Sequence, residues 1–336
     1  MNRKIITSAH GGGGTATKEI IDIAREYLGN PALDQLGDSA LLDLDGTGIA
    51  FTTDSYVIDP IFFPGGDIGK IAVCGTVNDI AMEGAKPLYM SLSLILEEGL
   101  EFELLERVIA SVASAAREAG VLVVTGDTKV VEHGRAGGGL FINTAAVGRR
   151  YEGCDTSVSN AAPGDLVVVT GTIGDHGVTI INEREELELE SGLKSDVAAL
   201  NTLVEELLTS VPGIKSLRDP TRGGLAAALC DIAGASKAGI EIEEVKIKVK
   251  REVKAACDLL GFDPLNIANE GKAVIVCSED SADEVLKICR DNEFGRESVL
   301  IGSVVSEHPE TVVLRTTMGG KRIVDMPRGE NLPRIC

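Results

Sequence analysis

Apolar positions along this chain recur at two periods, and glycine or proline marks most of the changes between them. Leu104, Leu105, Val108, Ile109, Val112 and Ala116 fall on one helical stripe that stops at Gly120. Asp67 is suited to capping a second helix, which runs to about Glu83 and ends at Gly84 with Pro87 beyond. Further helices are predicted over residues 17–28, over 178–190, after Gly223-Gly224, and from the capping box Ser281-Ala282-Asp283-Glu284. Ser195 is read as the cap of another, carrying Val197, Leu200, Val204, Leu207, Leu208 and Val211. Short apolar runs predict strands at 49–53, 88–96, 121–125, 139–147, 166–170, 240–245, 273–277, 299–305 and 311–314. Helices and strands mix in both halves, so the pattern predicts an α+β or α/β fold.

The chain turns polar around Gly153, Ser157, Ser159, Asn160 and Pro163, which places a domain junction there. The predicted division is 1–150, 151–325 and a tail, 326–336. The tail holds Pro327 and Pro333, which disfavour regular helix, and ends on Cys336. Fully extended from Pro327, it reaches about 30 Å. A thiol is a strong nucleophile, and a tethered one can carry a group between sites. A frayed terminus fits the same residues. Cys336 also sits beside its own α-carboxylate, whose charge disfavours the thiolate, so activation is expected only where the tail docks.

Composition narrows the classes. The net charge of −20 and an aromatic content of 3% without Trp argue against nucleic acid or an anionic membrane as main partner. The start of the chain lacks the apolar run of an export signal, and no run approaches the ~20 residues of a membrane span. Seven cysteines without a C-x-x-C pair predict free thiols in a reducing cytoplasm.

The candidate chemistry lies in acids set among apolar residues. Asp38 precedes Ala40-Leu41-Leu42, Asp54 ends a strand, and Asn78-Asp79 interrupts an apolar helix. Asp127 follows a strand with Lys129 close behind, and Asp219 stands between Arg218 and Pro220. Each alone fits a turn or cap. Together they suit Mg²⁺ and phosphate, since buried carboxylates are costly without cations and Mg²⁺ prefers oxygen ligands. Scattered histidines and unpaired cysteines give zinc little support. The stretch Gly65-Gly66-Asp67-Ile68-Gly69-Lys70 is no P-loop, but it feeds a helix N-terminus that can offer N–H groups to phosphate. The run His10-Gly11-Gly12-Gly13-Gly14 is either a loose leader or a lid. Glu270 in Asn269-Glu270-Gly271 is either a general base or a turn carboxylate.

Several motifs resemble the HypE family of hydrogenase maturation proteins. They are Thr52-Thr53-Asp54-Ser55-Tyr56-Val57-Ile58, Phe63-Pro64-Gly65-Gly66-Asp67-Ile68-Gly69-Lys70, Gly75-Thr76-Val77-Asn78-Asp79-Ile80-Ala81-Met82 and Gly126-Asp127-Thr128-Lys129. Gly174-Asp175-His176-Gly177, Arg218-Asp219-Pro220-Thr221-Arg222-Gly223-Gly224, Asn269-Glu270-Gly271 and the terminal Pro333-Arg334-Ile335-Cys336 extend the match over nearly the whole chain. The aspartates are shared with the wider superfamily of aminoimidazole ribonucleotide synthetase, selenophosphate synthetase and thiamine-monophosphate kinase.

The resemblance implies a two-domain α+β fold of the aminoimidazole ribonucleotide synthetase type, its N-terminal sheet pairing across a homodimer, with a C-terminal α/β domain and a mobile tail. It implies that Cys336 receives a carbamoyl group from a HypF-type carbamoyltransferase. ATP then drives dehydration to a thiocyanate, and the cyano group passes to iron on a HypC–HypD-type complex. ATP binding is expected at Asp38, Asp54, Lys70, Asn78, Asp79, Asp127 and Asp219, and Mg²⁺ at Asp38, Asp54, Asp79 and Asp127. Lys129 is expected as the cation near the phosphates or as the base, and Glu270 as the base. The competing readings are a small-molecule kinase or synthetase of the same superfamily, and a carrier whose partner does the chemistry. His10, His133 and His176 fit turn or packing roles better.

Overall fold

A computed structural model describes residues 6–12, 14–134, 139–185, 192–327 and 335–336. In chain order the first part holds α1 (Thr15–Leu28), β1 (Ala40–Leu44), β2 (Thr47–Tyr56), the short β3 (Phe62–Phe63) and β4 (Gly66–Asp67), then α2 (Ile68–Met82). β5 (Ala85–Glu97), α3 (Phe102–Ala119), β6 (Leu122–Val131) and β7 (Leu140–Arg150) complete it. These strands form a five-stranded sheet in the order β1-β2-β7-β5-β6, with only β5 and β6 parallel.

α2 lies between this sheet and the helices α3 and α5, the latter introduced below. Nearly all of α2 is buried, so it lacks a polar face, and the polar residues inside it need partners. Its start is fixed as expected: Asp67 accepts from the N–H groups of Gly69 (2.8 Å) and Lys70 (3.1 Å). α3 is amphipathic, burying Val108, Val112, Ala115, Ala116 and Ala119, and ends on left-handed Gly120 (φ 71°).

The second part holds β8 (Leu166–Val169), α4 (Asp175–Glu185), α5 (Asn201–Ser210), β9 (Ile214–Arg218), α6 (Gly224–Ser236), β10 (Gly239–Glu243) and α7 (Arg251–Leu260). It ends with β11 (Val274–Cys277), α8 (Ala282–Asp291), β12 (Val299–Val305), β13 (Val312–Arg315) and β14 (Lys321–Val324). The seven strands run β14-β13-β10-β12-β8-β11-β9. α6 packs into the core on one face, α5 and α8 into the core on the other. β11, flanked by β8 and β9, is therefore buried on both faces and reads as an unbroken apolar run, Val274-Ile275-Val276-Cys277. No described helix is long and apolar enough to cross a membrane.

Two sequence expectations change. The helix predicted over 178–190 begins earlier, at Asp175, and its end beyond Glu185 lies outside the described residues. Ser195 caps no helix: α5 starts at Asn201, and the chain before it is not helical. Tertiary bonds hold that segment. Ser195 N–H donates to Pro64 O (2.9 Å), Ala198 N–H to Glu270 O (3.3 Å), and Asn78 takes Ala198 O (3.0 Å) and Leu200 N–H (2.8 Å).

Asn78 thus stitches α2 to the second half with both ends of its amide, 2% exposed. Asn78→Leu keeps the volume but orphans two buried backbone groups, each worth about 1–3 kcal/mol. A loss of roughly 2–5 kcal/mol is expected in urea denaturation. A variant as stable as wild type would show that the stitch is not needed.

Candidate functional site

A core cluster joins the two halves, with Tyr56, Ile58, Phe63, Ile68 and Ile71 from one and Val178, Val197, Val253 and Ile267 from the other. The acids collect beside it. Asp38, Asp79 and Asp219 each offer a carboxylate oxygen, and these lie within 4.8 Å of one another. Asp54, at the end of β2, hydrogen bonds to Asp79.

Hydroxyls line the set. Thr52 Oγ1 donates to Asp79 (2.9 Å), Thr76 Oγ1 lies 3.3 Å from Asp54, and Thr76 also meets Tyr56 (3.0 Å) and Thr144 (2.6 Å). Arg218 pairs with Asp38 (2.8 Å) and Asp231 (3.1 Å). Glu83 accepts from the Asp38 N–H (2.9 Å); burial first, then the Asp38 charge, pushes its pKa up to about 7.

Burial raises the pKa of Asp38, Asp54, Asp79 and Asp219; repulsion from neighbouring carboxylates adds to it at Asp38, Asp79 and Asp219, while Arg222 and hydrogen bonds oppose it at Asp54. Asp219 reaches about 8. Converging oxygens that repel one another, with one directly paired arginine, fit a divalent cation of the Mg²⁺ kind.

A folded-state acid with raised pKa keeps a proton that the unfolded chain releases. For Asp219 stability therefore falls as pH rises from about 3.8 to about 8. Calorimetry is expected to show that Mg²⁺ raises the Tm, and more at the top of that window than at its foot. Asp79→Asn should raise the metal-free Tm at neutral pH, blunt the Mg²⁺ response and weaken Mg²⁺-dependent turnover. An unchanged Mg²⁺ response would remove Asp79 from the cation site.

The chain terminus docks against the same wall. Ile335 bridges antiparallel to Ile58, and Val57 N–H donates to a carboxylate oxygen of the terminal Cys336 (2.9 Å). Ile335 is 7% exposed in the shared core, and Cys336 packs against it. Arg222 is surface-accessible at the edge of this site. Negative charge at Cys336 is the largest influence holding its guanidinium above the usual value, with smaller contributions from Asp54 and Glu270. Arg222 also reaches Gly11 O (3.4 Å), and Thr15 N–H bonds to Pro327 O (3.2 Å). The glycine-rich run therefore touches the site arginine, and the start of α1 touches the base of the tail.

Glu270 is 3% exposed, and its Oε1 has no hydrogen-bond partner among the described residues. Burial, then Asp219 and Asp196, raises its pKa well above the ordinary value, while Arg222 opposes the shift. Its backbone is fixed by Asp196, which accepts the Glu270 N–H (3.2 Å). Gly271 permits that approach, because a Cβ there would overlap the Asp196 carbonyl. Neighbouring Asn269 accepts from Gly174 N–H (2.7 Å) and donates to Pro220 O (3.0 Å), tying the motifs of the second half together.

Other expected site residues fall elsewhere within one chain. Lys70 Nζ turns back to Gly65 O (3.2 Å), about 13 Å along α2 from Asp79 at 1.5 Å per residue. Asn78 spends its amide on the backbone of Ala198 and Leu200. Asp127 and Lys129 pair with each other (3.1 Å) on β6, both well exposed. The row Asp54, Thr144, Leu92, Gly126 crosses three strand spacings, which puts β6 about 14 Å from Asp54. Arg218, Arg222, Tyr56, Thr76 and Thr144 were not singled out by the sequence. The two arginines flank Asp219 in one motif, which was the available signal.

Comparison with known proteins matches this architecture. Residues 36–150 match the N-terminal domain of AIR synthase related proteins, and residues 162–315 match the C-terminal domain. The chain is thus an AIR synthase related protein of two domains, whose acidic site opens beside the joint between them. It is 48% identical to the carbamoyl dehydratase HypE of Azotobacter vinelandii, covering 98% of this chain and 97% of the relative. A HypE–HypF complex superposes with a TM-score of 0.87 at 47% identity, covering 92% of this chain and 99% of the other. HypE in complex with ATP gives 0.83 at 46% identity, covering 99% and 100%. Within its class, the chain belongs to the HypE family of carbamoyl dehydratases.

Proposed function

We propose that this protein is an ATP-dependent dehydratase acting on a carbamoyl group carried by its own Cys336. The observation that carries the reading is the docking of Cys336 on Val57, at the end of the strand that presents Asp54. On this reading Cys336 acts in the site of its own chain.

A carboxamide oxygen is a poor leaving group. In the reaction the carbamoyl oxygen attacks the γ-phosphorus of ATP, the bond to the bridging oxygen breaks, and ADP leaves. One N–H proton is lost as the imidate phosphate forms. Loss of the second N–H proton closes the C≡N bond as the C–O bond breaks and phosphate departs. Thiocarbamate and ATP thus give thiocyanate, ADP and phosphate, with no change of oxidation state. Glu270, buried with an open oxygen, takes the amide protons. Mg²⁺ held by Asp38, Asp79 and Asp219, with Asp54 beside them, supplies charge neutralisation for the triphosphate.

The working form is a homodimer in the cytoplasm. Edge strand β6 exposes Leu122, Val123, Val124 and Val130, and the sheet exposes Phe51, Tyr89 and Ile95. Unpaired apolar edges of this kind are covered in natural proteins. A second copy paired there covers them and gives Asp127 and Lys129 a route to the nucleotide. The carbamoyl group comes from a HypF-type carbamoyltransferase, as the crystallised HypE–HypF relative suggests. The cyano group goes to iron on a HypC–HypD-type complex, on the way to a [NiFe] hydrogenase.

Intact-protein mass spectrometry tests the reading. Incubation with the carbamoyltransferase and its donor is expected to add one carbamoyl group at Cys336. MgATP alone should then remove one water. An adduct on another cysteine, or a mass unchanged by MgATP, would overturn it.

A further inference from the structure

His176 has no part in the reaction above, yet it is fully buried and touches the tail directly. Its ring stands edge-on to Phe63, with centroids 5.6 Å apart at 81°. Nδ1 lies 2.8 Å from Ser195 Oγ, and Nε2 meets the carbonyl oxygen of Ile335. A carbonyl oxygen only accepts, so Nε2 carries a proton. Burial disfavours the imidazolium and lowers the pKa of His176, so Nδ1 is bare and accepts from the Ser195 hydroxyl. That hydroxyl in turn accepts from Val197 N–H (3.2 Å). One direction of donation therefore runs from Val197 through Ser195 and His176 to Ile335, and it fixes the tautomer.

The terminal carboxylate of Cys336, next along the tail, has its own donor in Val57 N–H (2.9 Å). The Ile335 carbonyl and the Cys336 terminal carboxylate thus meet fixed donors from opposite halves of the molecule, while the Ile335 side chain fills the core between them. In an extended chain a shift of one residue turns a side chain to the other face. A tail held at the 335 carbonyl and the 336 carboxylate can present its last side chain in one way only.

We propose that His176, oriented by Ser195, is a positioning residue that reads the carbonyl of residue 335 and so sets the register in which the thiol of residue 336 enters the site. The proposal rests on the reading that Cys336 carries the carbamoyl group. It differs from a loose tether, for which length matters and register does not.

The test uses the full-length protein, carbamoylated on its terminal cysteine by the carbamoyltransferase and followed through one turnover with MgATP by mass spectrometry. His176→Phe keeps the ring packing and removes the bond. It is expected to slow water loss by about 10- to 100-fold, since a lost buried hydrogen bond of about 1.4 kcal/mol is tenfold and misplacement adds to it. ATP affinity should change less than twofold. Ser195→Ala frees the tautomer and should slow the step by about 3- to 10-fold.

Two insertions separate register from reach. One glycine added between Arg328 and Gly329 leaves the last two residues intact and should be tolerated. One alanine added between Ile335 and Cys336 should reduce water loss at least as much as His176→Phe. Trypsin cleavage after Arg334 gives a readout independent of the chemistry, and both point variants should accelerate it.

Equal dehydration by the two insertion variants would overturn the proposal. So would wild-type rates of water loss and cleavage in the point variants. If His176→Phe does not fold, Ser195→Ala and the insertions still decide. If wild-type protein loses no water with MgATP, the dehydratase reading fails, and the tryptic comparison still judges the latch alone.

Discussion

Cys336→Ala is expected to bind ATP as wild type does, to form no carbamoyl adduct, and to lose ATP-dependent conversion entirely. The reason lies in the other six thiols. Burial first of all pushes Cys74 and Cys277 up to about 12, and Cys230, Cys257 and Cys289 up to about 11; Cys154 is raised as well. A thiol with a pKa near 11 is about one ten-thousandth thiolate at neutral pH; Cys74, Cys257, Cys277 and Cys289 are also buried, and Cys154 and Cys230 are half-buried. None can stand in for the terminal one. Cys336 differs in kind: it packs half-buried at the rim of the shared core, and the negative charge at this residue, which carries the terminal carboxylate, is the largest influence on Arg222. Intact-mass spectra after the carbamoylation reaction, with nucleotide affinity measured in parallel, check both halves of the prediction. A carbamoylated Cys336→Ala protein would place the carrier elsewhere.

Local pattern carried much of the fold. The Asp67 cap, the stripe of α3 and its glycine stop, and the apolar strands of the second half all depend on near neighbours, and they stand where pattern puts them. The segment before α5 shows the limit. Ser195 and the apolar spacing beyond it favour a helix, but Pro64, Asn78 and Glu270 claim its backbone groups from distant parts of the chain. Nothing local to residues 195–200 announces those partners, so long-range hydrogen bonding overrides propensity there.

The acids of the site were legible because they violated the pattern. Asp79 interrupts an apolar helix, and Asp54 ends an otherwise apolar and hydroxyl-bearing strand; such residues need an explanation that local structure does not give. Supporting hydroxyls were hidden for the opposite reason. Thr76 and Thr144 suit helix and strand interiors well enough to raise no question, and only the packing of α2 on β7 brings their oxygens together (2.6 Å). His176 was hidden too, since its partners at 195 and 335 are far away in the sequence. Asp127 and Lys129 illustrate a third limit. They stand exposed on an edge strand, and within one chain the strand order sets them apart from the acids, which near neighbours in the sequence do not announce.

Glu270→Gln is expected to fold and bind ATP, and to slow water loss from the carbamoylated protein by about 10²- to 10⁴-fold. The substitution is isosteric, and the backbone bonds that set the residue, from Glu270 N–H to Asp196 and from Ala198 N–H to Glu270 O, do not involve the side chain. A base must be ionised to accept a proton. Burial, Asp219 and Asp196 hold the Glu270 carboxyl protonated well above the ordinary range. The wild-type rate should therefore rise with pH along a limb displaced upward from that range, then level off once Glu270 is ionised. The glutamine variant should lose that limb. Stability moves the other way. A raised acid costs the folded state as pH rises through its pKa, so Glu270→Gln should be as stable as wild type at low pH and more stable at neutral pH. Loss of turnover together with a gain in Tm cannot be attributed to unfolding. Single-turnover rates across pH, paired with calorimetry, supply both numbers, and a glutamine variant that keeps the wild-type limb would transfer the role of base to another group, with Lys129 of a paired chain the first to examine.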